Sequence, residues 1–194
     1  MRAEGYQAHA VPLDVSQPES IAAFEAAAVE AAGPPHLLVN NAGVGVFRDI
    51  DLMDPAIFEQ QIAVGLRGPW YMMRAVVPHM KRLGGGQIVN VSSIAGRSAF
   101  KRGSAYCAAK AGLNMMSEAL MLELREFGIK VTVVAPGSVD TGFHRIALPN
   151  QNQRDTDWML EPENIADAIV HLVSMPAGVL PNYYEIRPLE TGPK

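Results

Sequence analysis

The sequence has a single cysteine, Cys107. No internal disulfide can close and no thiol cluster can hold a metal, which suits a reducing compartment; we expect a cytoplasmic protein. No apolar run approaches the roughly 20 residues that a membrane helix needs, so no membrane span is expected. The N-terminal stretch MRAEGYQAHAV has no charged start followed by an apolar segment and does not read as a signal peptide. Basic residues are outnumbered, 16 Lys and Arg against 20 Asp and Glu, and form no stripe. The counterion-releasing footprint of a nucleic-acid binder is therefore missing. The five histidines, at 9, 36, 79, 144 and 171, show no metal-ligand spacing, and no metal site is expected. Internal repeats and low-complexity segments are also lacking. What remains is a chain of 194 residues, 48% apolar and 19% charged. That is enough for one globular domain with a sizeable core, and we read 1–194 as a single domain.

Strand-like and helical patterns alternate along the chain. HAVPLDV (9–15) reads as a short strand. Ser16, Pro18 and Glu19 then have the spacing of a capping box that opens a helix running to Gly33-Pro34. The apolar run at 36–43 is too short for a helix and reads as a buried strand. Asp54-Pro55 opens a long helical stretch to about Leu83, with kinks expected at Gly65, Gly68-Pro69 and Pro78. Strands follow at 87–93, 129–137 and 183–188, separated by helices at 104–127 and 161–175. Buried strands joined by helices give an α/β fold: a doubly wound parallel sheet of about five strands with helices on both faces. In such sheets ligands bind beyond the carboxyl ends of the strands. The unusual short motifs all fall there: Asp14-Val15, NNAG at 40–43, Ser92-Ser93 and Pro136-Gly137.

Within GSAYCAAKAG (103–112), Tyr106 and Lys110 stand four positions apart, on one helix face. A free phenol has a pKa near 10, and a neighbouring ammonium favours its ionised form. Such a phenol can exchange a proton with a carbonyl/alcohol pair, and Ser93 or Ser92 on the adjoining strand end can hold the substrate oxygen. The segment 142–160 is irregular and reads either as a lid over the substrate or as a plain surface connection, with His144 as a candidate substrate contact. Cys107 reads as a small buried hydrophobe, and Lys101 and Arg102 as solvated charges. The helix at 104–127 is apolar nearly all round, so we expect it to be covered on both sides. A second subunit would supply the outer cover, giving a homodimer or homotetramer. The alternative is that the helix at 55–83 covers it within the chain.

These motifs together resemble the short-chain dehydrogenase/reductase family over nearly the whole chain. NNAG (40–43), IVNVSSIAG (88–96), YCAAK (106–110) and APGSVDT (135–141) match its motifs, with Ser93 thirteen residues before Tyr106. The resemblance implies a Rossmann-like fold and hydride transfer between NAD or NADP and a small carbonyl or alcohol substrate. It implies Tyr106 as general acid/base, Lys110 as the ribose ligand that lowers the tyrosine's pKa, and Ser93 as the group that orients the carbonyl. Asp14, Val15, Asn40, Ala42 and Gly43 would lie along the adenosine, and Pro136, Gly137 and Thr141 along the nicotinamide.

The sequence departs from that pattern twice. No Gly-x-x-x-Gly-x-Gly turn occurs, so the resemblance implies that the family's first two strands and their helices, which cradle the pyrophosphate, are absent. The family's helical Asn, which is thought to hold a proton-relaying water, is replaced by Gly65 in VGLRG (64–68). A glycine keeps the kink but offers no amide, so a weakened relay is expected, with water in the vacated space. Two functional expectations follow: an NAD(P)-dependent oxidoreductase, or an impaired remnant of one that serves as a structural, partner-binding module.

Overall fold

The computed structural model describes residues 5–143, 147 and 156–190. Most of the expected lid, and His144 with it, lie outside the described residues. Four parallel strands form one sheet: β1 (Leu37–Asn40), β2 (Gly86–Val91), β3 (Ile129–Pro136) and β4 (Tyr183–Ile186), in the spatial order β1-β2-β3-β4. The register pairs Asn40 with Asn90, Val91 with Val134, and Pro136 with Ile186. The strand ends that carry the motifs are thus level with one another.

The helices are α1 (Pro18–Ala32), α2 (Pro55–Ile62), α3 (Gly68–Leu83), α4 (Ser104–Leu124) and α5 (Pro162–Val173). Alternation along the strands sorts the core into two layers. Ile88, Ile129 and Val131 face α1, α3 and α4, where Ile21, Met72, Met73, Met80, Met121 and Leu124 are buried. Val89 and Val134 face the other way, onto Ile165 and Leu172 of α5.

The segment 9–15 is not a strand, contrary to expectation. A strand needs a neighbour to satisfy its backbone, and no element pairs with this segment among the described residues. It runs extended and turns into α1 through Asp14, whose N–H donates to Ser20 Oγ at 2.9 Å. Nor does Ser16 cap α1. Its hydroxyl and its N–H both donate to Asp14 Oδ1, at 2.7 and 2.9 Å, and Gln17 takes the cap position with Pro18 as the first helical residue.

The kink expected at Gly65 is a π-turn over Ala63–Arg67, between α2 and α3. Such single-turn insertions recur at functional sites. A Cβ on Gly65 would come within 3.1 Å of Ala109 Cβ on α4. Helix packing is therefore close at this glycine, which has no room to spare for a side chain without a shift of Ala109.

Helix α4 is covered on one side only. Ala105, Ala109, Leu113, Ser117, Met121 and Leu124 are buried, whereas Met115 (68% exposed) and Leu122 (60%) face outward. Leu66 of the π-turn lies against Gly112, so the intrachain neighbour accounts for part of the cover and leaves this stripe open.

A buried polar chain ties the layers together. Asn40 Nδ2 donates to Asn90 Oδ1 (2.8 Å), Asn90 Nδ2 to Ser117 Oγ (2.9 Å), and Ser117 Oγ to the Leu113 carbonyl (2.6 Å). Asn90 is fully buried, so losing it strands partners in a dry interior. We predict that Asn90→Leu lowers unfolding free energy by about 1–3 kcal/mol, read as a lower urea midpoint at unchanged slope.

Candidate active site

Lys110 and Tyr106 project from the first turns of α4 toward the end of β2. The Lys110 side chain is buried, 5% exposed, and its Nζ donates to the Val91 carbonyl at 2.9 Å. One turn earlier the Tyr106 ring lies 5.9 Å from that ammonium, measured to the ring centroid. Ser93 follows the strand; its Oγ accepts the Ala95 N–H at 3.1 Å, which fixes the start of a short 3-10 turn, and it lines the same cavity as the Tyr106 phenol. Ser92 points elsewhere: its hydroxyl reaches the Lys110 carbonyl at 3.4 Å. Of the two serines, Ser93 is the one set beside the phenol.

Burial dominates the titration of both groups. It pushes the Tyr106 phenol above its ordinary value, the Ser93 hydroxyl pulls it partly back, and the nearby Cys107 adds a small upward push. The expected lowering by Lys110 is not found. Burial holds that ammonium itself down, to about 8. In a dry site a charge is costly on either group, so at neutral pH the phenol keeps its proton and stands ready as an acid.

One cavity of about 1010 Å³ brings Ser93, Tyr106 and Lys110 together with Gly43, Pro136, Gly137 and Thr141. Gly137 is fastened by its N–H to the Ile186 carbonyl (2.8 Å), and a Cβ there would press on Pro188 at 3.1 Å. Three other expected residues do not join this cavity. Val15, Asn40 and Ala42 line a separate groove along the open edge of β1, and the Asn40 amide is committed to Asn90. Asp14 is exposed and occupied with Ser16. Cys107 is half-buried, and Arg102 pairs with Asp49 at 3.1 Å. Among the described residues no group of three His, Cys, Asp or Glu side chains converges, and no helix is long and apolar enough to cross a membrane.

Sequence reasoning missed the walls. Phe47, Phe100 and Phe143, from the loops that follow β1, β2 and β3, gather around Tyr106. Gln61 of α2, 1% exposed, grips the first of these loops at Val46: its Oε1 accepts the Val46 N–H (3.1 Å) and its Nε2 donates to the Val46 carbonyl (3.3 Å). A glutamine on the inward face of a helix is the one signal in the sequence that could have pointed there, since buried amides need partners.

Comparison with known proteins bears on the family and the fold. Residues 1–152 match the family model for short chain dehydrogenase. An uncharacterized oxidoreductase of Staphylococcus saprophyticus is 32% identical over 181 residues, covering 91% of this chain and 74% of the relative. A metagenomic short-chain oxidoreductase solved in complex with NADP superposes with a TM-score of 0.82 at 34% identity, over 98% of this chain and 78% of that one. An alcohol dehydrogenase of the archaeon Thermococcus sibiricus, complexed with 5-hydroxy-NADP, gives a TM-score of 0.89 at 25% identity, over 100% and 80%.

The buried ammonium has a pH signature. Lys110 titrates near 8 in the fold, below the 10.5 of a free lysine. Between those values the unfolded chain binds more protons, so stability rises with pH. From pH 7 to 10 we predict that the wild type gains on the order of 2 kcal/mol relative to Lys110→Met, read from urea midpoints. A pH-independent gap between the two would contradict it.

Proposed function

This chain belongs to the short-chain dehydrogenase family, and on that premise we propose that it transfers hydride between a nicotinamide cofactor and a small carbonyl or alcohol substrate, with Tyr106 as general acid/base. The observation that carries this reading is the single cavity in which a protonated, buried phenol, the Ser93 hydroxyl and the Lys110 ammonium meet at the strand ends.

The residues present fit the nicotinamide half of NAD or NADP. Gly43 lines the cavity beside Lys110: a Cβ built on it would stand 4.0 Å from Nζ. Lys110 would hold the ribose hydroxyls, and Pro136, Gly137 and Thr141 would lie along the nicotinamide. Asn40, Ala42 and Val15 would serve the adenosine side through the adjacent groove, Asn40 by its backbone, with Asp14 at the far end. The family's solved relatives in complex with NADP support the choice of cofactor class. When bound, a reduced nicotinamide supplies the hydride, two electrons with one hydrogen, to the carbonyl carbon. Ser93 holds the carbonyl oxygen. Tyr106 gives that oxygen its phenolic proton, so C=O becomes CH–OH, and recovers a proton from solvent. Gly65 offers no side-chain amide to anchor a relay water. Proton return is accordingly the step we expect to be slow.

The same reading extends to assembly and location. The outward stripe of α4, with Met115 and Leu122, and the half-exposed Trp70 on α3 favour a homo-oligomer in the cytoplasm, built from one catalytic unit per chain. The second reading, a non-catalytic partner-binding module, draws on the open edge of β1, where Leu37 and Val39 are 42% and 39% exposed. Titration with NADH and NADPH separates the two: no binding of either at millimolar concentration would remove the enzyme reading for this chain. If turnover is found, we predict that Tyr106→Phe lowers kcat by a factor of about 10²–10⁴ while cofactor binding persists. Unchanged turnover would refute the role of the phenol.

A further inference from the structure

The aromatic walls around the phenol are built features. Phe47 and Phe100 meet edge to face at 4.8 Å between centroids. Phe47 and Phe143 each stand 5.6 Å from Tyr106, and Phe100 stands 6.5 Å away. Edge-to-face and tilted pairs at such distances are attractive, and all three rings line the cavity that holds Tyr106. Two glycines make room for the rings. A Cβ on Gly45 would lie 2.4 Å from Phe143 Cζ, and one on Gly103 would lie 2.5 Å from Phe100 Cζ.

The loops that carry the rings are fastened. Gln61 holds Val46, immediately before Phe47, at both backbone groups. The Phe47 N–H reaches the Ala147 carbonyl at 3.4 Å, and the Arg48 N–H donates to the Arg102 carbonyl at 3.0 Å, joining the loop after β1 to the loop after β2. The cavity continues over Val139, Ile165 and Ile169; Lys101 and Arg102 stand at it as well, and no Asp or Glu among the described residues lines it. A surface of this kind solvates a hydrocarbon body well and a small polyol or zwitterion poorly.

Resting on the oxidoreductase reading, we propose that Phe47, Phe100 and Phe143 form an apolar subsite, and that the substrates are bulky hydrophobic carbonyl compounds, aryl ketones above all, and the corresponding secondary alcohols. The aryl group stacks among the three rings while its carbonyl oxygen meets Ser93 and Tyr106. The redox balance is that of the parent reaction: the carbonyl carbon takes the hydride of NADPH or NADH, the oxygen takes the Tyr106 proton, and the aryl alcohol and oxidised nicotinamide leave.

The test compares acetophenone with acetoin, a small polar ketone, as substrates of the full chain with NADPH and NADH. Saturation-transfer NMR measures acetophenone binding without turnover. The wild type is expected to favour acetophenone in kcat/KM by at least about tenfold, and Phe100→Ala to cut that preference by about tenfold. Phe100 is 42% exposed, so its removal spares the core; Phe47→Leu is the second variant, should Phe100→Ala fail to fold. A wild type that prefers acetoin, or a preference unmoved by both variants, overturns the subsite while leaving the oxidoreductase reading intact. If neither ketone turns over but acetophenone binds and Phe100→Ala weakens it, the subsite stands and the hydride-transfer reading falls. Neither turnover nor acetophenone binding overturns both.

Discussion

The site depends on one buried contact, the ammonium of Lys110 against the carbonyl at the end of β2. A lysine inside a protein is costly, and this one depresses its own proton affinity as a result. The contact draws the start of α4 down onto the sheet, and the phenol one turn earlier is thereby carried to the serine that follows the strand. The same approach of helix to sheet requires a neighbour without a side chain, and Gly65 in the π-turn provides it. The glycine that stands where an amide was expected is thus also the residue that lets α4 sit close to its neighbour.

The sheet brings the remaining groups to the same rim because its strands are parallel and their ends are level. What it does not do is gather every expected site residue into one hollow. Pro136, Gly137 and Thr141 share a cavity with Tyr106, whereas Val15, Asn40 and Ala42 lie in a groove along β1, an edge with exposed apolar residues. Exposed edges of this kind are surfaces on which other backbone can settle.

Much of this was legible in the sequence. Alternating apolar runs and capped helices located four strands and four helical stretches, one of which the structure divides into α2 and α3, and the spacing of Ser93, Tyr106 and Lys110 marked residues that line one cavity. The failures have physical causes. HAVPLDV has the pattern of a strand, but strand formation is settled by a pairing partner, which local pattern does not contain. Ser16 was read as a cap because of its position, yet Asp14 two residues earlier competes for the same hydroxyl. The direction of the tyrosine's shift could not be read either, because a Tyr-x-x-x-Lys spacing announces the charge but not the dryness that outweighs it. The phenylalanines at 47, 100 and 143 are far apart in sequence; only the convergence of three loops makes them neighbours.

The clearances at Gly45 and Gly103 separate two things that many active sites bind together. The rings that shape the cavity lean on backbone positions that take no part in proton or hydride movement. A single methyl at either glycine would displace a ring and redraw the cavity around the phenol without replacing Ser93, Tyr106 or Lys110. Inherited variation therefore has a route to reshaping the hollow from backbone positions outside Ser93, Tyr106 and Lys110.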